Sequence, residues 1–64
     1  MNDKLFRTIL KRYEATIEDA RYKIDIICEQ NLVIPEHIDI TGEIDKLLQI
    51  IAEAEDKVAI MRKY

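Results

Sequence analysis

The sequence predicts an all-α fold: an antiparallel two-helix hairpin, coiled-coil-like, that dimerises into a four-helix bundle. Three observations carry that prediction. The only proline and the only glycine, Pro35 and Gly42, fall in one central stretch, and these residue types most reliably interrupt regular structure. On each side of that stretch apolar residues recur at steps of three and four, the spacing of one helical face. Further apolar residues flank both faces, more than a lone hairpin can cover.

The first helix is expected over about residues 3–30. Asn2 or Asp3 can cap it, because a short side-chain oxygen accepts from the free N–H groups of the first turn. In heptad terms Leu10, Ile17 and Ile24 take position a, while Phe6, Tyr13, Ala20 and Ile27 take d. Asp3–Arg7 and Asp19–Lys23 are i,i+4 pairs, each worth a few tenths of a kcal/mol. Asn31, which tolerates left-handed dihedrals, is a natural stop.

A connector follows over residues 31–41. Pro35 turns Ile34 away from helical dihedrals. Leu32, Val33, Ile34, Ile38 and Ile40 make this segment unusually apolar, as expected if it folds over the end of the bundle and seals it, or offers a docking surface. The second helix is expected over about residues 42–64, with Thr41 as its N-cap and Glu43 and Asp45 complementing the dipole. Its stripe sets Ile44, Ile51 and Val58 at a, and Leu47, Ala54 and Met61 at d.

The two stripes match when the helices run antiparallel. Ile27 meets Ile44, Ile24 meets Leu47, Ala20 meets Ile51, Ile17 meets Ala54, Tyr13 meets Val58 and Leu10 meets Met61. Both alanines face an isoleucine, and large against small is what interdigitation requires.

Outside this hairpin core lie Leu5, Ile9, Ile26, Cys28, Leu48, Ile50 and Ile60, together with the ring of Tyr22. These are the expected oligomer-interface residues. A chain of 64 residues buries only ~60% of its unfolded surface, so it needs a disulfide, a metal or self-association. The single cysteine cannot form an internal disulfide, and an unpaired thiol suits a reducing cytosol. A homodimer, or a helix of a protein partner, is the remaining remedy.

Candidate chemistry is sparse. His37 stands between Glu36 and Asp39, but metal sites need three or four converging ligands and no second histidine exists. Cys28 has Asp25 and Glu29 as neighbours, which oppose thiolate formation. The carboxylates Glu14, Glu18 and Asp19, and Glu53, Glu55 and Asp56, lie on outward positions without a Glu-x-x-His motif. With no phosphate loop, nucleophile motif or zinc pattern, the sequence is read as non-catalytic, with no cofactor and no metal. No motif carries a resemblance to a known family.

Charge is distributed unevenly. Residues 1–12 sum to +3, residues 13–45 to −7 and residues 46–64 to +1, within a net −3. In a hairpin the first and last segments share one end. The folded unit is therefore a rod with a basic open end, carrying Lys4, Arg7, Lys11, Arg12, Arg62 and Lys63, and an acidic connector end. The basic end can face the acidic end of a second hairpin, or contact an anionic partner such as RNA. The first use is favoured, since the net charge gives no general reason to expect nucleic acid.

The function expected from these features is that of a small accessory or regulatory protein acting through protein–protein contacts. Short apolar runs and early basic residues predict neither a membrane span nor a signal peptide, hence a cytoplasmic protein. A stand-alone chain of this size without a catalytic constellation suits a phage or mobile element, whose host cytoplasm it would then occupy.

Overall fold

The computed structural model describes residues 1–29 and 39–64. Two helices make up the described chain: α1, Asp3–Glu29, and α2, Ile40–Met61. Residues 30–38 lie outside the described residues, and with them the expected last residue of the first helix, the expected stop at Asn31, most of the expected connector with Pro35 and His37, and the apolar Leu32, Val33, Ile34 and Ile38.

α1 starts where its first turn finds a cap. Asn2 Oδ1 accepts from the Leu5 N–H at 2.8 Å, and the Phe6 N–H donates to the Asn2 carbonyl at 2.9 Å. Nothing from Asp3 to Glu29 breaks the ladder, since the segment holds neither glycine nor proline.

α2 begins two residues before the sequence expectation, and its cap is Asp39 and not Thr41. Asp39 Oδ1 accepts from the Gly42 N–H at 2.9 Å and from the Thr41 hydroxyl at 3.0 Å. The reason is twofold. A carboxylate is a stronger cap than a hydroxyl in the field of a helix N-terminus. The earlier start also turns Ile40, four residues before Ile44, onto the apolar stripe, where it is half-buried. At its other end α2 tapers after Met61 through tightened bonds, Lys63 N–H to Ile60 and Tyr64 N–H to Met61, at 3.0 and 3.1 Å.

The helices pack antiparallel as a hairpin about 49 Å long and 15 by 13 Å across. Three contacts fix the direction: Met1 N lies 2.7 Å from the Tyr64 carbonyl, Lys57 Nζ stands 5.7 Å from the Tyr13 ring centroid, and Arg21 reaches Glu55 at 3.9 Å.

The seam runs along the a and d stripes. Ala20, Leu47, Ala54 and Met61 are buried, with Ala20 only 1% and Ala54 4% exposed. Phe6, Leu10, Tyr13, Ile17, Ile24 and Ile27 of α1, and Ile44, Ile51 and Val58 of α2, are half-buried. Among the described residues no large side chain is fully enclosed. The seam is one residue deep.

The α2 cap has an electrostatic consequence. The Gly42 N–H first, then the Thr41 hydroxyl and the nearby Lys46 charge, hold the Asp39 carboxyl below its ordinary value. Its stabilisation is therefore complete at neutral pH and is lost only as pH falls through that depressed value. Gly42 is bound to this geometry, because an added Cβ would run into the Asp39 carboxylate and lie 2.8 Å from its Cγ.

Two outcomes follow. With Asp39→Ala already in place, Gly42→Ala raises stability by about 1 kcal/mol, the helix-propensity difference; in the native background it gains less or loses, because it displaces the cap. Denaturant melts at pH 7 check this, and the coupling shrinks as pH falls through the depressed value of the carboxyl and the carboxylate is protonated. Within the seam, Ala20→Leu overpacks a filled site at a cost of ~1–3 kcal/mol, and Ile51→Ala restores part of it in a double-mutant cycle.

Candidate functional site

A seam between two helices leaves two long edges, and in this hairpin they differ in chemistry. Heptad positions e of both helices line one edge; positions g line the other, with positions c beside them.

The e edge is charged. It carries Arg7, Glu14 and Arg21 from α1, with Glu55 and Arg62 from α2. Arg21 spans it, pairing with Glu55 across the seam at 3.9 Å and with Glu18 on its own helix at 4.0 Å. Both partners are more than half exposed, so the pair contributes little stability. It does mark this edge as one that water can satisfy. Toward the connector end the edge ends in Cys28 and Leu48, both exposed.

The g/c edge is mixed: five aliphatic side chains alternate with the charges of Arg12, Asp19, Lys23, Glu43, Lys46, Glu53 and Lys57. Leu5, Ile50 and Ile60 are 48%, 42% and 45% exposed, and Ile9, Thr16 and Ile26 are half-buried beside them. At mid-length the helices leave a shallow groove of roughly 170 Å³, lined by Arg12, Tyr13, Thr16, Ile50, Glu53, Ala54 and Lys57. Thr16 adds little polarity to it, since its hydroxyl donates to the Arg12 carbonyl at 3.1 Å.

Of the seven expected interface residues, five lie on this edge and two, Cys28 and Leu48, lie on the other. Tyr22, on the outer face, is 65% exposed.

The basic residues divide as well. Lys4, Arg7 and Lys11 line one shallow hollow with Thr8 on the outer, e-side face of α1. Arg12 alone of that group belongs to the g/c edge, where Lys57 of α2 joins it. Arg62 and Lys63 are exposed at the end of α2. The basic end is thus two surfaces, not one. Sequence reasoning had no place for Lys57 or Thr16, although both occupy g positions that heptad counting alone identifies.

Among the described residues no group of three or more His, Cys, Asp or Glu side chains is placed to hold a metal ion. No described helix is long and apolar enough to cross a membrane. No family model, curated protein or solved structure matches the chain.

Proposed function

We propose that this chain is a small non-catalytic accessory or regulatory protein that works as a homodimer through protein–protein contacts. One observation carries the reading: Leu5, Ile50 and Ile60, three large aliphatic side chains, stand about half exposed along a single edge of a thin rod. Exposed aliphatic side chains gathered on one side of a rod this thin support an interaction surface there. Completing the burial of each, already about half covered, gains roughly half of the ~1.5–3 kcal/mol of a full aliphatic burial. Two hairpins joined along that side make a four-helix bundle with a core two layers deep.

Sedimentation equilibrium at micromolar concentration tests this directly. The expected mass is about twice the 7.6 kDa of one chain. A mass of one chain with full helicity overturns it.

A second reading rests on the hollow formed by Lys4, Arg7, Thr8 and Lys11, a basic face able to meet an anionic partner such as RNA. Its signature is steep salt dependence, because phosphate contacts release counterions. On the dimer reading, fluorescence anisotropy of labelled RNA or DNA stays flat as protein is added at low salt. Binding that weakens with salt, and that Lys4→Ala/Lys11→Ala abolishes, would favour the rival instead.

A further inference from the structure

We propose that the basic face at the start of α1, formed by Lys4, Arg7 and Lys11, docks a short acidic segment of a protein partner. This rests on the reading that the chain works through protein–protein contacts, and holds whether or not it dimerises.

α1 carries its charges against its own dipole. A helix favours anions at its N-terminus and cations at its C-terminus. In α1, Lys4 stands in the first turn with Arg7 and Lys11 close behind, while the last turn holds Glu29 and no basic residue. The three cations also oppose one another. Arg7 follows Lys4 by three residues and Lys11 follows Arg7 by four, the spacings at which like charges destabilise a helix.

Ion pairing does not relieve the strain on this face. Among the described residues Lys4, Arg7 and Lys11 enter no salt bridge, although Asp3 and Glu14 flank them in sequence. Of the two i,i+4 pairs expected in α1, Asp19–Lys23 forms at 3.0 Å, but Arg7 Nε donates instead to the Asp3 carbonyl at 3.4 Å. A helix that gathers charges unfavourable to itself breaks local rules in the manner of a functional surface.

The geometry suits side-chain ends. Lys4, Arg7 and Lys11 line, with Thr8, a shallow hollow of roughly 210 Å³, and all four are exposed. The Thr8 hydroxyl donates to the Lys4 carbonyl at 2.8 Å, which leaves the cations as the groups that face a ligand. Across Lys4 and Thr8 the hollow meets a second one, lined also by Asn2 and by Leu5, which is 48% exposed.

These features favour a peptide over a polynucleotide. From Lys4 to Lys11 the face spans ~10 Å of helix, the reach of two or three carboxylate side chains. Beyond Lys11 the same face turns acidic at Glu14 and Glu18, which repels a phosphate strand continuing along it. Leu5 gives an aliphatic side chain of a peptide a place to rest, which a phosphate backbone cannot use. The occupant is therefore a segment with two or three Asp or Glu residues and an apolar residue beside them.

Fluorescence anisotropy on the full chain at low salt tests this. The probe is a labelled peptide with three glutamates on one helical face and a leucine next to them; its control carries glutamine for glutamate. The acidic peptide is expected to bind, more weakly as salt rises, and the control to stay free. Arg7→Glu lowers the affinity about tenfold or more. Lys63→Glu, the same change of net charge at the same end of the rod, leaves it within about twofold. Lys4→Glu weakens binding yet raises the Tm of the free protein by about 4 °C, since it relieves both the dipole and the repulsion. No binding by the folded protein, an equal loss with Lys63→Glu, or a lower Tm with Lys4→Glu overturns the inference. Tighter binding of a single-stranded RNA of equal charge overturns it in favour of nucleic acid. A one-chain mass with peptide binding intact overturns only the dimer.

Discussion

Two helices can touch only along one stripe each, and that limit governs everything else about this chain. Ala20 and Ala54 are the least exposed residues described, at 1% and 4%. Leu47 and Met61 complete the buried set, and the remaining stripe residues are covered on one side only. A seam one residue deep buries little surface against the entropy of ordering so many residues. The fold of a single hairpin therefore leaves part of its apolar surface without a partner, and the position of that surface is the most informative property of the molecule.

The two edges of the seam answer water differently. On the e edge Arg21, Glu18 and Glu55 form exposed ion pairs that solvent screens and satisfies. The other edge sets Ile9, Ile50 and Ile60 beside Thr16, whose hydroxyl is turned onto its own backbone. The asymmetry separates two properties the sequence presents together. More of the exposed aliphatic surface lies on the g/c edge, where it alternates with charged residues, than on the e edge, which keeps Leu48. Lys4, Arg7 and Lys11 of α1 line the outer, e-side face, while Arg21 and Lys23 are held in ion pairs elsewhere.

Capping at the start of α2 shows how a single local choice reaches the seam. Asp39 binds the Gly42 N–H and the Thr41 hydroxyl, which moves the helix start forward and adds Ile40 to the stripe. Gly42 is the residue that leaves room for this carboxylate. The signal lay in the sequence, since Ile40 continues the same four-residue step that leads to Ile44. Thr41 concealed it by being a good cap type in its own right.

The sequence by itself determined the two helices and the stripe that each presents, because helical periodicity and the placement of Pro35 and Gly42 are properties of the local chain. It also determined that apolar residues would outnumber the places available in one hairpin. Heptad counting gives each residue its position, and the antiparallel packing of α2 on α1 then brings the e positions of both helices to one edge and the g positions to the other. Leu48 and Ile50 are two residues apart in sequence, yet the antiparallel partner helix divides them between opposite sides of the rod. The same holds for Lys11 and Arg12, adjacent in the chain and assigned to different surfaces. A helix turns by about 100° per residue, so its face is defined only relative to what it packs against, and that reference exists only once α2 has folded back along α1.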